Sequence, residues 1–295
     1  MTNHVSVLRD EVVQAFEGLE INTFFDGTLG AGGHAEAILE AHPEIKRYIG
    51  CDRDPRAHEL AVERLKRFGS KVELVRGSYS DMERFLDERK IDGIDGYLID
   101  IGVSSMQLDE KHRGFSFRFD GPLDMRMDPD GDLTAEDIVN QYNEQEIARI
   151  FWEYGEERQS RRAAAAIVLA RKKQRITTTQ QLIDIVKPVL KWGKNHPATL
   201  IFQALRIVVN DELGELEKGL EAAIKRTNEG GRLAVITFHS LEDRIVKHRL
   251  KDQSGTKREP GQLEVLTKKP IIPSEKECSE NPRSRSAKLR VAEKR

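Results

Sequence analysis

The sequence predicts an α/β protein with a mostly parallel, Rossmann-like sheet and an inserted all-helical segment. Three observations carry that reading. Short apolar runs alternate with segments of helical spacing through the first hundred residues, the signature of a parallel sheet wound with crossover helices. The alternation stops near Gly102, and helical patterns run from Thr134 to Leu190. A strand pattern then returns at "GGRLAVITFHS", residues 230–240.

Taken in order, Asn22 to Asp26 is the first expected strand and Ala35 to Ala41 a helix. "RYIGCD", ending at Asp52, is the second strand, and "DPRAHELAVERLKRF" follows with Pro55 in its first turn, where a missing N–H costs nothing. "KVELVRGSY" reads as a third strand, "DMERFLDERK" as a helix and "IDGYLIDIG" as a fourth strand ending near Asp100. Gly102 to Leu133 is rich in turn residues and aromatics without a sustained period, so a long loop is expected. "TAEDIVNQYNEQEIARIFWEYG" opens with a capping box, Thr134 with Asp137 standing in for Glu. "ERQSRRAAAAIVLARKKQ", "TTTQQLIDIVKPVL" and the amphipathic "ATLIFQALRIVVNDELGELEKGLEAAI" continue the helical pattern. The simplest division is a discontinuous α/β domain, residues 1–108 and 212–295, around a helical insertion at 109–211. The last forty residues offer one short strand, "LEVLTKK".

A charged content of 33% against 6% aromatics suggests solvated helical surface rather than a β-sandwich. The net charge of -2 is unevenly spread: from Arg158 to Lys194 ten basic residues face one acid, Asp184, and from Arg244 to Arg295 fifteen face seven. The rest is strongly acidic, so the two kinds of segment are expected to do different jobs. Cys51 and Cys278 are too few for a disulfide framework and lack metal-ligand spacing, which points to a reducing compartment. The first residues carry no apolar signal region, and no stretch approaches ~18 apolar residues. A cytoplasmic protein away from membranes is expected.

"DGTLGAGGHAEAIL" fits the dinucleotide fingerprint literally, as Gly30-x-Gly32-x-x-Ala35. A diphosphate wants backbone N–H groups and no competing anion. Here Asp26 ends the strand that delivers the turn, and no Lys or Arg occurs between Asn22 and Glu44. That arrangement would repel a diphosphate and attract a cation, which suits S-adenosylmethionine: its nucleoside lacks phosphate, and its other end carries an ammonium beside a sulfonium. Asp52, 19 residues past Gly33, is near the ~20 expected for a carboxylate on ribose hydroxyls and suits either cofactor. The same residues also fit an ordinary strand-to-helix turn between solvated strand ends.

Asp100 closes the fourth strand at the same edge. An exocyclic base amine is a poor nucleophile because its lone pair is conjugated into the ring, and a carboxylate accepting its N–H bonds would localise that pair. Asp100 is the candidate acceptor, against the alternative of an ordinary polar strand end. His239 and Ser240 could line the same mouth or be structural. Tyr79, after the third strand, could stack on adenine or pack.

Several blocks together, "HVSVLRDEV", "DGTLGAGGHAEAIL", "DIGVSSMQLDEKHRGFSFRFDGPLDMRMD", "EYGEERQSRRAA", "FQALRIVVNDEL", "GGRLAVITFHSLEDRIVK" and "ENPRSRSAKLR", resemble the bacterial 16S ribosomal RNA cytosine-N4 methyltransferases known as RsmH or MraW. They run from His4 to Arg290. The resemblance implies a class I methyltransferase fold with a helical insertion for RNA recognition, S-adenosylmethionine as donor without a metal, and a decoding-centre (P-site) cytidine of the small subunit as acceptor. It leaves a homodimer open. Carried over by position, cofactor contacts would be Gly32, Gly33, His34, Asp52, Tyr79, Asp100 and Gln107. Tyr79 stands where related sequences often have Phe. Many amino-methyltransferases carry Asn or Asp followed by Pro-Pro and an aromatic at the fourth strand, where this chain has "DIGVSS".

Roles then follow for the loop and the basic stretches. A cytosine amine in structured RNA is reached only when the base is splayed out, and Phe115, Phe117, Phe119, Arg113 and Arg118 could clamp it or pack the loop. Arg158, Arg161, Arg162, Arg171, Lys172, Lys173 and Arg175 supply charge for phosphates, with 158, 161 and 162, and 172 and 175, spaced for shared helix faces. A solvated helix face is the plain alternative. "NPRSRSAKLR" is expected to be a second RNA contact or a flexible end. The competing functions are a dinucleotide-dependent oxidoreductase, which Asp26 opposes, and a ribosome-assembly factor that keeps the fold without turnover.

Overall fold

The computed structural model describes residues 6–191, 196–256 and 258–295. His4, Lys194 and Lys257 of the segments above lie outside the described residues. Along the chain run α1 (Arg9–Ala15), β1 (Thr23–Asp26), α2 (Gly33–Ala41), β2 (Arg47–Asp52), α3 (Pro55–Leu65), β3 (Val72–Arg76), α4 (Met82–Glu88) and β4 (Ile94–Asp100). Helices follow: α5 (Ser105–Asp109), α6 (Ala135–Gln141), α7 (Glu144–Glu153), α8 (Ser160–Arg171), α9 (Thr179–Val186) and α10 (Thr199–Val209). The chain closes with α11 (Glu212–Arg226), β5 (Thr227–Thr237), α12 (Ser240–Ser254), β6 (Leu263–Val265), α13 (Glu275–Glu280) and β7 (Lys288–Lys294). It forms two compact units, Met1–Gly102 with Leu213–Arg295, and Val103–Glu212.

The first unit is built on one sheet of order β3-β2-β1-β4-β5-β7-β6. Strands β1 to β5 pair in parallel, and β7 runs antiparallel between β5 and β6. Alternation along each strand sends side chains to opposite faces. Phe25, Ile49 and Tyr97 meet Phe85 of α4, Leu220 of α11 and Val246 of α12. Phe24, Tyr48 and Leu98 meet Val12 of α1, Ile38 of α2 and Leu65 of α3. Phe24 stacks on Tyr48 with ring centroids 5.1 Å apart. Full burial of each such side chain contributes about 1.5–3 kcal/mol. Chain order reverses about β1 and β4, the topological switch point where a doubly wound sheet opens a crevice at the carboxyl ends of its strands.

The second unit is a helical bundle around Ile138, Phe151, Ile167, Leu182 and Leu205. Its helix starts are written in the sequence. Thr134 with Asp137, Asn143 with Glu146 and Thr178 with Gln181 each form reciprocal capping boxes that satisfy the open N–H groups of α6, α7 and α9.

Several expectations change. The 102–133 stretch is not wholly a loop, because Ser104 and Gln107 cap the short helix α5. That helix belongs to the helical unit, so residues 103–108 join it rather than the α/β domain. The amphipathic segment after Ala198 is two helices, α10 and α11, separated where Asp211 takes a left-handed φ of 47°. Arg158 precedes α8 and Lys173 and Arg175 follow it, so the expected spacing on shared helix faces holds only in part.

The tail is not a flexible end, and it holds a strand besides "LEVLTKK". "KLRVAEK" is β7, an inner strand with Leu289 and Val291 buried on one face and Ala292 on the other. Its alternation is masked by Arg290, which reads as solvent-facing but is buried. Its Nε donates to Asp243 Oδ1 at 2.7 Å, and Lys288 reaches the other oxygen at 3.1 Å. Burial works to raise the Asp243 pKa, but hydrogen bonds from Arg290 and Lys288 outweigh it and hold the carboxyl below its usual range. This cluster therefore stabilises fully above the unfolded-state pKa near 4 and less as pH falls through the depressed folded value. Asp243→Ala strands a buried guanidinium and is expected to cost about 2–4 kcal/mol, read as a lowered urea midpoint at pH 7 with a smaller deficit at pH 3.

Candidate active site

Three aspartates share one face of the sheet at its carboxyl edge. Asp26 of β1 pairs in register with Gly50 of β2 and Leu98 of β4. Asp52 and Asp100 lie two residues beyond those partners, one pleat further out on either side, about 10 Å apart across β1. Asp26 is buried, accepting the Tyr48 hydroxyl at 2.9 Å and the Thr28 N–H at 3.1 Å. Its position differs from the solvated strand end that the bare sequence allowed. Burial, opposed by those two hydrogen bonds, pushes its pKa up to about 6.

Five amides of the glycine turn are spent on the protein itself. Gly27 N–H donates to Leu98 O, Thr28 to Asp26 Oδ1, Leu29 to Cys51 O, Gly30 to Asp52 Oδ2 and Gly32 to Leu29 O, at 2.8–3.1 Å. Gly30 and Gly32 adopt left-handed φ of 51° and 77°, which lets the chain fold back under Asp52. A phosphate cradle needs those N–H groups pointing outward. Here two of them are committed to carboxylates, so the turn is a poor diphosphate site and retains acceptor oxygens.

Asp52 accepts N–H bonds from Gly30 and Asp54 at 2.8 and 2.9 Å, and burial nevertheless raises its pKa. Each carboxylate oxygen keeps a lone pair, as needed for ribose hydroxyls. Asp100 N–H donates to Thr28 Oγ1 at 2.6 Å, which ties β4 to the turn. His34, in the first turn of α2, places Nε2 3.5 Å from Asp100 Oδ2. Both His34 ring nitrogens and Asp100 Oδ1 are buried without a hydrogen-bond partner among the described residues. Buried polar atoms in that condition are costly unless a ligand completes them. Gly32 and Gly33 open α2 beside this pair.

The other expected residues have structural partners of their own. Tyr79 begins a tight turn after β3, its ring packed in the core cluster of Phe25, Tyr97 and Leu220. Gln107 lies in the helical unit, where its side chain accepts the Ser104 N–H at 3.1 Å. His239 is the N-cap of α12, reciprocated by Glu242. In the helical unit Phe115 is buried, and Phe117 stacks on His196 at 4.8 Å and meets Phe202 edge-on. Of the three phenyl rings only Phe119 is exposed, at 41%, with Lys111 Nζ 4.7 Å from its centroid. Sequence reasoning missed Thr28 and Tyr48. The "DGT" spacing, a hydroxyl two residues past the strand-end acid, was the available signal for Thr28.

The model of the MraW methylase family matches this chain over residues 1–295. The protein belongs to the MraW methylase family. A relative from Protochlamydia amoebophila is 51% identical over 99% of this chain and 97% of its own length. Others, from Geobacter sulfurreducens and Geotalea uraniireducens, are 49% and 48% identical, covering 99% of this chain and 99% and 98% of theirs. All three are named ribosomal RNA small subunit methyltransferase H. The fold of this MraW family member is thus the class I methyltransferase fold with a helical insertion, and its cofactor is S-adenosylmethionine. His34, Asp100, Asp26 and Asp52 fit that donor: acceptors at one end for a nucleoside, and negative charge at the other for a cation.

The raised Asp26 pKa gives a signed expectation. Because the folded value lies above the unfolded one, ionising Asp26 lowers stability as pH rises from about 4 through 6. Asp26→Asn keeps an acceptor for Thr28 and removes the buried charge. It is expected to be about 1–3 kcal/mol more stable than the parent at pH 8, with the gap closing towards pH 4. Calorimetry should show the opposite sign for the donor: the parent binds S-adenosylmethionine more tightly above pH 6, and the variant loses that pH dependence.

Proposed function

We propose that this protein transfers a methyl group from S-adenosylmethionine to the exocyclic N4 amine of a decoding-centre cytidine in 16S ribosomal RNA of the small subunit, in the cytoplasm. The observation that carries the proposal is a chain-long family match to small-subunit ribosomal RNA methyltransferases, joined to a strand-end site whose turn amides face carboxylates. Among the described residues no helix is long and apolar enough to cross a membrane.

When bound, the donor supplies an electrophilic methyl group on a cationic sulfur. The chain's own residues supply alignment, since direct displacement needs a nucleophile about 3 Å from the carbon and little acid–base help. Asp52 holds the ribose end, and Asp26 contributes negative potential beneath the turn. Asp100 is the acceptor for the amine: Oδ1, buried without a partner among the described residues, takes an N–H of the cytosine, localises its lone pair and stabilises the developing positive charge. His34 Nε2 lies 3.5 Å from Oδ2, on the other side of that carboxylate. Gly32, Gly33 and Tyr79 complete the proposed donor contacts of the first unit.

The helical unit, residues 103–212, is proposed to recognise the RNA. Arg158, Arg161, Arg162, Lys172 and Lys173 are exposed, which suits phosphate contacts. Arg171 and Arg175 contribute less, since Arg171 donates to Val139 O at 2.8 Å and Arg175 pairs with Glu136 at 2.6 Å.

Tritiated donor, small subunits lacking the modification and mass spectrometry of RNA digests test the reading. Label is expected in one N4-methylated cytidine. Asp100→Ala is expected to abolish transfer, at least about a hundredfold in kcat by the usual scale of an electrostatic stabiliser, with RNA binding retained. Donor binding without label in RNA would favour an assembly factor. Charge reversal at Arg161, Arg162 and Lys172 is expected to weaken RNA affinity and reduce its salt slope by about 1 for each phosphate no longer neutralised. An unchanged slope removes this surface from the interface.

A further inference from the structure

Glu215 of α11 gathers two strand-end loops of the first unit at once. Its Oε2 accepts the hydroxyls of Ser78 and Ser80, the latter at 2.6 Å, and Arg53 at 2.9 Å. Arg53 also donates to Ser78 Oγ at 2.8 Å. Arg53 directly follows Asp52, and Ser78 and Ser80 flank Tyr79, so the carboxylate ties the loop after β2 to the loop after β3. One turn along the same face of α11, Gly219 meets the Tyr79 ring so closely that a Cβ there would lie 2.4 Å from Tyr79 Cδ2. The carboxylate is only 16% exposed. Burial works to raise its pKa, but the serine hydrogen bonds and Arg53 outweigh it and hold it in the ionised form. α11 is separately anchored by Leu216, Leu220 and Ala223 in the core.

We propose that Glu215 is a positioning residue for the nucleoside half of the donor: it fixes Asp52 against Tyr79 and so sets the width available to ribose and adenine. This rests on the function proposed above. It predicts that the effect of losing Glu215 falls on one substrate and on one half of it.

The full chain with Glu215→Leu, Glu215→Gln or Ser78→Ala with Ser80→Ala would be assayed for methyl transfer to small subunits, with adenosine and methionine as competitors of the donor. Removing a charged hydrogen-bond acceptor is expected to raise the donor KM about tenfold or more in Glu215→Leu, with kcat at saturating donor and the subunit KM within about twofold. Glu215→Gln keeps an acceptor oxygen and is expected to recover most of that loss. The inhibition constant of adenosine should rise in parallel with the donor KM, and that of methionine should stay fixed. A wild-type donor KM in folded Glu215→Leu overturns the proposal, as does an equal loss for adenosine and methionine, which would mark general destabilisation. If Glu215→Leu does not fold, the serine double variant decides by the same ratio. A parent protein that binds no donor refutes the underlying function instead, and that result is read before any variant is made.

Discussion

The hydrogen bond from Gly30 N–H to the Asp52 carboxylate governs what this fold can hold. A glycine turn between a strand and a helix offers backbone donors to an anion, and the common use of that geometry is phosphate binding. In this chain a carboxylate from the neighbouring strand takes the Gly30 donor, Asp26 takes that of Thr28, and main-chain carbonyls take those of Gly27, Leu29 and Gly32. The turn's polarity is thereby inverted. The carboxylates of Asp26 and Asp52 bring acceptor oxygens to the turn, and acceptor oxygens favour hydroxyls and cations.

That inversion carries a cost which the rest of the unit is arranged to bear. Asp26 sits beneath the turn with its pKa raised by burial, a charge the core would be more stable without. Tyr48 and Thr28 limit the penalty, and the stacked Phe24 and Tyr48 rings hold the strands that place them. His34 and Asp100 are left with buried polar atoms unsatisfied among the described residues. Features that lower stability without a packing gain are expected where a ligand completes them. Asp26, His34 and Asp100 lie on strands β1 and β4 and the helix that follows β1.

Much of this was legible in the residues. β1, β2 and β4 followed from short apolar runs ending in Asp26, Asp52 and Asp100, and the Thr134–Asp137 capping box from its spacing alone. What stayed hidden was long-range. β7 was obscured because Arg290 interrupts an apolar alternation, and only Asp243, 47 residues earlier, explains how a guanidinium is buried there. Tyr48 gives no local sign that its hydroxyl will cap Asp26, and Glu215 none that it will meet Ser78. In the loop after β4 composition left a base clamp and packing equally open, and Phe115 and Phe117 pack into the helical core. The basic run marked the helical unit correctly as a charged surface, but Arg171 and Arg175 are held by partners that sequence distance conceals.

The most direct test is a pair of calorimetric titrations of the unmodified protein at pH 8, one with S-adenosylhomocysteine and one with NADH. A turn whose amides are committed to Asp26 and Asp52 should bind the phosphate-free nucleoside at micromolar concentration and give no heat with the dinucleotide. Saturable NADH binding that S-adenosylhomocysteine does not displace would mean that those amides are available to phosphate after all, and the account built on them would be wrong.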